Sequence, residues 1–458
     1  MLQIPSWDLI KKYDRPGPRY TSYPTAPEWK DDFRGPQYLD HLARAEKTGG
    51  PLSMYVHLPF CREMCRFCGC NVIATHDRSR ADQYLDVLEK EVALVAAHLP
   101  TRRGVSQLHW GGGTPTFLDE KQLTRCHAIL ARHFHFLLGA ELAVEIDPAI
   151  TTKRQVDVLA GLGFNRISMG VQDFDPKVQE TVGRIQGEKE TSDLVEAARA
   201  AGYHGVNLDL IYGLPYQTPE SWARTLEHIV AMRPDRMAVF GFAYTPWFKP
   251  HQNLLPKEAL PNPEARVRQF LQTVESFTGA GYRLIGLDHF AVESDELSRA
   301  QAAGTMFRNF QGYTVRPADD TVSFGVSSIS DIGGAYGQNP HKLKDWADAV
   351  EAGRIPVERG AAMSDDDVLR RFVINRVMCQ LRLDLGEVEQ AFGGPARAAI
   401  QADLEAGLAE LVGDGLCTFD GRVLTVQPLG QLLVRNVAML FDAYLKQGDT
   451  AKRFSRTV

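Results

Sequence analysis

From residue 53 onward, short runs of apolar and β-branched residues alternate with longer amphipathic stretches. The runs SMYVHL (53–58), VSQLHW (105–110), ELAVEID (141–147), NRISMGV (165–171), GVNLDLIYG (205–213) and RMAVFGF (236–242) predict six strands. Amphipathic stretches near 77–98, 119–135, 151–162, 189–201 and 218–231 predict the helices between them, and one near 262–280 closes the series. Six strand-then-helix units argue for parallel strands joined by right-handed crossovers. They are too few for a complete eight-unit barrel. The expected fold is therefore α/β, an open, partial (β/α)6 barrel, with a doubly wound sheet as the alternative that periodicity leaves open. In either arrangement ligands belong at the C-terminal ends of the strands.

The flanks read differently. Residues 1–50 are irregular at first, with four prolines in YDRPGPRYTSYPTAPEW, and a helix is expected near 36–47. Residues 283–340 suggest added strands and loops (YRLIGLDHFA, TVSFGVSSIS). From about 364, SDDDVLRRFVINRVMCQL and ARAAIQADLEAGLAELV are amphipathic helices, GLCTFDGRVLTV a hairpin around Asp420-Gly421, and LLVRNVAMLFDAYL a further helix. The expected organisation is an N-terminal extension (1–50), a barrel with added strands (51–363) and a small, winged-helix-like helical domain (364–458). That last domain would cover the barrel mouth.

Composition narrows the classes. A chain of 458 residues with 44% hydrophobic content buries a large core without needing a disulfide or metal staple. A formal charge of −6, and 11 basic against 13 acidic residues from 364 onward, give no footprint for nucleic acid. Asp8, Lys11 and Lys12 interrupt any secretory pattern, and no apolar run approaches a membrane span, so a cytoplasmic protein is expected.

Cysteine usage changes the picture. Of seven cysteines, Cys61, Cys65, Cys68 and Cys70 crowd one loop, CREMCRFCGC, after the first strand. Cys126, Cys379 and Cys417 are scattered and read as small buried hydrophobes. Clustered thiols in a cytosolic chain suit metal or cluster ligation rather than a disulfide framework. Structural zinc usually draws on two separated pairs, and no second C-x2-C pair exists. An iron–sulfur cluster is favoured, while zinc held by the four cysteines, or by three with His57, stays open. Other unusual residues also fall at strand ends: GGGTPT after the second, Glu145 and Asp147 on the third, Gln172 after the fourth, Asp209 in the fifth and Ala243 after the sixth.

C-x3-C-x-[aromatic]-C after a strand resembles the signature of the radical S-adenosylmethionine (SAM) superfamily. There, three cysteines hold three irons of a [4Fe–4S] cluster and the fourth iron is left for SAM. YVHLPFCREMCRFCGCN, QLHWGGGTPT, EIDP, GFNRISMGVQDF, NLDLIYGLPYQTPES, LDHFA, RNFQGYT, the terminal RFSR and the opening YDRPGPRYTSYPTAP resemble one family within it, the oxygen-independent coproporphyrinogen III oxidases. The resemblance runs from about Tyr13 to the final helix.

What the resemblance implies is specific. Cys61, Cys65 and Cys68 are implied cluster ligands, and Cys70 a supporting catalytic residue. Two SAM molecules are implied. Tyr55, Gly112, Glu145 and Ile329 would hold the cluster-bound one, and Phe67, Gly113, Thr114, Gln172, Arg184, Asp209 and Ala243 the second. The types suit these roles. Three glycines let backbone approach a ligand, Glu145 and Asp209 accept from ammonium or ribose hydroxyls, and Arg184 can fork onto a carboxylate. The implied reaction is oxidoreductive: a 5′-deoxyadenosyl radical abstracts hydrogen from the β-carbon of a propionate, CO2 leaves, and a vinyl group results. Two such steps turn coproporphyrinogen III into protoporphyrinogen IX in haem biosynthesis. A monomer is implied, with an electron donor and an acceptor that the sequence does not identify.

The substrate is a tetra-anion, so an acidic protein needs local cations to hold it. Arg15, Arg19, His289, Arg308 and Arg316 are candidates at the mouth. Two other readings remain. Haem-binding chaperones of the same family lack the C-x-C extension and the long N-terminal segment that this chain has, and another radical SAM enzyme would use a different substrate. The segment GFAYTPWFKPHQNLL keeps Ala243, but its Trp247 and Phe248 match no known role; they line the pocket or pack a loop.

Overall fold

The computed structural model describes residues 3–315, 318, 320–447 and 454–457. Its six central strands are β1 (Leu52–Leu58), β2 (Gly104–Gly112), β3 (His135–Ile146), β4 (Arg166–Gln172), β5 (Gly205–Tyr212) and β6 (Arg236–Gly241). They pair in chain order and all run parallel. The connecting helices are α1 (Ser79–Ala97), α2 (Glu120–Ala131), α3 (Lys153–Gly161), α4 (Glu188–Ala200), α5 (Pro219–Met232) and α6 (Pro263–Gly279). Several start where the side chain before them satisfies a free N–H: Asp119, Thr152, Thr218 and Asn262 each accept from a first-turn amide.

The sheet goes beyond the six expected units and stays open. β7 (Tyr282–Gly286) and β8 (His289–Val292) add antiparallel strands beyond β6. On the other side β9 (Asp320–Phe324) runs parallel to β1, followed by antiparallel β10 (Ile329–Ile332), β11 (Ala335–Gln338) and β12 (Arg359–Ala362). The result is one sheet of 12 strands.

Alternation along the strands sets up the site. In β4, Ile167, Met169 and Val171 are buried while Arg166, Ser168, Gly170 and Gln172 are not; in β5 the same split separates Val206, Leu208 and Leu210 from Asn207 and Asp209. One face carries the apolar side chains into the core shared with the helices. The other is polar, unlike the continuous apolar runs of a parallel sheet covered on both faces.

A second core joins helices Asp365–Gln380, Leu385–Phe392 and Gly394–Gly413 to Tyr13, Tyr20 and Tyr23 of the N-terminal segment. Cys417–Phe419 and Val423–Val426 form the hairpin turning at Asp420-Gly421. Trp29 stacks on Tyr336 at 5.1 Å, which seats the N-terminal segment against the sheet. Among the described residues, no helix is long and apolar enough to cross a membrane.

Four local expectations change. The helix expected to reach 135 stops at Ala131, because the chain enters β3 at His135. Residues Trp7–Tyr13, read as irregular, form a helix capped by Ser6. A further helix, Pro176–Val182, precedes α4. The single helix expected through 432–445 is broken into Val434–Ala438 and short flanking turns. Arg435 and Asn436 point inward there and donate to backbone carbonyls of Pro18 and Tyr13, so long-range bonds replace a regular amphipathic stripe.

Candidate active site

The cysteine loop leaves the end of β1 and is tied at its base. Phe60–Cys61 pairs with Ile73–Ala74, and the Thr75 amide donates to the Cys61 carbonyl at 2.9 Å. Cys61, Cys65 and Cys68 are half-buried and Cys70 is exposed. Burial pushes the Cys61 thiol up to about 11, whereas the hydrogen bond from Cys70 pulls Cys68 down to about 6. Cys61 Sγ lies 3.5 Å from Thr114 Oγ1, and Arg184 Nη1 lies 3.8 Å from Cys65 Sγ. Among the described residues, no three His, Cys, Asp or Glu side chains converge on a single ion.

Beside this loop, the polar face forms a continuous network. Tyr55 and His57 project from β1. Tyr55 Oη lies 3.1 Å from His57 Nδ1, and the Tyr55 ring stacks on His109. His109 Nε2 meets Glu145 Oε1 at 2.8 Å, and the Gly112 amide donates to Glu145 Oε2 at 3.3 Å. Burial would raise the Glu145 carboxyl, but the His109 hydrogen bond and charge outweigh it and hold it low. The triple glycine has a second reason beside the one expected. A Cβ on Gly111 would lie 2.8 Å from the Glu145 carboxylate, and one on Gly113 2.6 Å from the Phe60 carbonyl oxygen. Close packing inside the protein, not only room for a ligand, forbids side chains there.

Further along the rim, Asp209 accepts from Ser168 Oγ (2.9 Å) and Asn207 Nδ2 (2.7 Å), yet burial still pushes its carboxyl up to about 7. Gln172 sits at a register break between β4 and β5 with φ of 68°, a left-handed conformation uncommon outside glycine. Arg184 pairs with Asp147 at 3.1 Å and donates to the Gly170 carbonyl at 2.6 Å, while its buried Nε has no partner among the described residues. Ile329 begins β10, half-buried. Phe67 and Ala243 are joined through one side chain: Gln252 Nε2 donates to both their carbonyls, at 3.1 and 3.2 Å.

A cavity of about 1100 Å³ opens at the C-terminal end of β6. Its apolar walls include Tyr244, Trp247, Phe248 and Phe270, and its cations are Arg19, Arg266, Arg435 and Arg456, with Asp288 as the acid. Arg19 pairs with Asp288. Arg435 is 5% exposed and donates to the carbonyls of Gly17, Pro18 and Arg456. Burial, helped by Arg19, lowers its guanidinium to about 10.

Of the other expected cations, none of the described ones lines this cavity directly. Arg15 is exposed, His289 pairs with Asp288 at 2.9 Å, and Arg316 lies outside the described residues. Arg308, 8% exposed, lines a separate small pocket beside Tyr20–Tyr23 and stacks over Tyr313. Sequence reasoning missed Arg266 and Arg435, which carry no motif; Arg456 stood in the RFSR match but drew no role.

Comparison with known proteins decides the family. The Radical SAM superfamily profile matches residues 55–229, and the HemN C-terminal domain profile residues 363–433. The oxygen-independent coproporphyrinogen III oxidase of Salmonella typhimurium is 44% identical over 454 residues, 99% of this chain and 98% of its own. That of Pseudomonas aeruginosa is 43% identical over the full length of both chains. This chain belongs to the oxygen-independent coproporphyrinogen III oxidase family. The solved coproporphyrinogen III oxidase (HemN) from Escherichia coli, a radical SAM enzyme, superposes with a TM-score of 0.91 at 42% identity, covering 97% of this chain and 99% of that one. The partial radical SAM barrel with its helical C-terminal region is thereby shown, and the doubly wound alternative falls away.

Membership brings a [4Fe–4S] cluster and SAM. The residues here suit both: three thiols share one loop, carboxylates face inward beside it, and the orphaned Arg184 Nε is a donor waiting for an acceptor.

Proposed function

We propose that this chain converts two propionates of coproporphyrinogen III to vinyl groups without oxygen, giving protoporphyrinogen IX for haem biosynthesis in the cytoplasm, and that it works as a monomer with two SAM molecules. The observation that carries the reading is the cavity. A tetrapyrrole with four propionates is a broad apolar disc rimmed by negative charge, and it needs aromatic walls with several guanidiniums. Trp247 and Phe248 supply exposed aromatic faces, and Arg19, Arg266 and Arg435 the cations.

When bound, the cluster and SAM supply a 5′-deoxyadenosyl radical. Cys61, Cys65 and Cys68 hold the irons, and Cys70 serves beside them. Tyr55, Gly112, Glu145 and Ile329 bind the cluster-bound SAM, with Glu145 kept ionised by His109 to receive its ammonium. Phe67, Gly113, Thr114, Gln172, Arg184, Asp209 and Ala243 bind the second. Arg184, anchored on Asp147, would offer its unpartnered Nε to the carboxylate of that SAM. Arg19 and Arg435 orient propionates, and the aromatic walls exclude water. Arg15, His289, Arg308 and Arg316 act as secondary substrate contacts. We also take residues 1–50 as the substrate clasp, 51–363 as the catalytic unit and 364–458 as its cover.

The test is an anaerobic assay of reconstituted protein with coproporphyrinogen III, SAM and a reductant, with cell extract supplying the electron acceptor. Two CO2 lost and two 5′-deoxyadenosine formed per porphyrin are expected. SAM cleavage without decarboxylation would overturn the substrate.

A further inference from the structure

The segment that carries Trp247 and Phe248 turns back over the cysteine loop. Lys249 Nζ donates to the Cys70 carbonyl at 2.9 Å, and His251 Nε2 lies 2.8 Å from the Cys68 carbonyl. Gln252 makes the most of these contacts. Its Nε2 donates to the carbonyls of Phe67 (3.1 Å) and Ala243 (3.2 Å), and its Oε1 accepts from the Thr245 amide at 2.6 Å. The residue is 1% exposed, so each of these bonds forms away from water. A primary amide offers two N–H donors and one acceptor oxygen, and all three are used here, on three different points of the backbone.

The loop holds few other bonds of its own between its cysteines. The Cys68 amide donates to the Cys65 carbonyl at 3.1 Å, and the Arg66 amide reaches Val182 at 2.8 Å. The carbonyls of Phe67, Cys68 and Cys70 are met instead by Gln252, His251 and Lys249.

We propose that Gln252 is a positioning residue that locks Phe67 of the cysteine loop to Ala243 at the end of β6, so that the cluster and the second SAM keep one separation. The part concerning the second SAM rests on the two-SAM reading above; the ordering of the loop does not. His251 and Lys249 extend the same clasp to Cys68 and Cys70.

The test uses anaerobically reconstituted full-length enzyme carrying Gln252→Glu. This variant keeps the size and the acceptor for Thr245 but loses both donors. Iron content and the response of the reduced-cluster EPR spectrum to SAM should stay at wild-type level. Hydrogen–deuterium exchange of the amides in residues 64–71 should accelerate about tenfold, the factor given by losing roughly 1.4 kcal/mol of local protection. In equilibrium dialysis the second SAM should bind about tenfold more weakly than in wild type while the first is unchanged. More 5′-deoxyadenosine should form per vinyl group.

Unchanged exchange in residues 64–71 overturns the clasp, however many SAM molecules bind. Accelerated exchange together with a single SAM in both proteins supports the clasp and overturns the two-SAM reading instead. If Gln252→Glu does not fold, Gln252→Met keeps the length but removes the contacts to both Phe67 and Ala243 and should speed exchange around residues 66–68; no change there overturns the proposal equally.

Discussion

Glu145 and Asp209 face inward from neighbouring regions of the parallel sheet, beside the cysteine loop, whereas Arg19, Arg266 and Arg435 reach the cavity from segments far apart in the chain. The first surface balances its acids with His109 and Arg184, whereas the second sets four arginines against Asp288. Each suits a different ligand. SAM has a sulfonium and an ammonium against one carboxylate, while coproporphyrinogen III brings four carboxylates. On the proposed function, the excess of arginines in the cavity would favour the tetra-anion there, and the buried acids of the rim would favour the cationic ligand. On both surfaces burial works against charge: it pushes Asp209 up to about 7 and Arg435 down to about 10.

The largest expected effect breaks one side only. Cys61→Ala should prevent cluster reconstitution and lower turnover by about a thousandfold or more, equivalent to roughly 4 kcal/mol of barrier. Iron content and 5′-deoxyadenosine yield measure it, and porphyrin binding should survive. Next is Arg435→Met, which leaves the carbonyls of Gly17, Pro18 and Arg456 without their donor. Denaturant unfolding should show a loss of about 3 kcal/mol, and porphyrin KM should rise while SAM affinity holds. An equal fall in SAM affinity would show that the two surfaces are not independent.

Beneath the rim lies another buried acid. Glu91, 1% exposed, accepts from the Gly325 amide (2.8 Å) and Asn339 Nδ2 (2.6 Å), and burial still pushes it up to about 7. Its folded value lies above the unfolded one. Its favourable contribution is therefore complete in acid and is lost as pH rises from about 4.5 through 7, by roughly 2–3 kcal/mol. Glu91→Gln should flatten that fall in urea unfolding between pH 5 and 8, and an unchanged slope would sink this assignment.

What was legible in the sequence follows from how local each feature is. The strands and helices of the barrel could be placed within a few residues because a period of two or 3.6 is written in neighbouring positions. The cysteine loop and the residues at strand ends were found for the same reason. Arg266 and Arg435 were not, because nothing near either one in the chain announces a cavity; α6 packs on the sheet and the broken C-terminal helix on the N-terminal segment, and together they bring the two arginines to it. That broken helix also hid its reason, three carbonyls supplied from more than one distant segment. The triple glycine was visible, but its packing against Glu145 and Phe60 was not. Arg15 shows the converse: a basic residue in the right segment whose side chain is exposed rather than on the cavity wall.

Asp209 gives the finest test of the sorting by charge. Its carboxyl is pushed up to about 7 by burial and by the nearby Glu145 charge, against the pull of Ser168 and Asn207. Below that pH it is protonated and the rim loses one negative charge. Above it the carboxylate is available to a cationic ligand or to ribose hydroxyls. SAM affinity should therefore rise about tenfold as pH climbs through 7, the change expected for gaining one charge-assisted bond. Porphyrin affinity should stay level across the same range, since the cations of the cavity remain charged there. Asp209→Asn should bind SAM weakly at every pH and lose the pH dependence, as read by equilibrium dialysis at pH 6, 7 and 8. If the variant instead kept the wild-type profile, the titrating group would be elsewhere, and the rim would owe its selectivity to Glu145 alone.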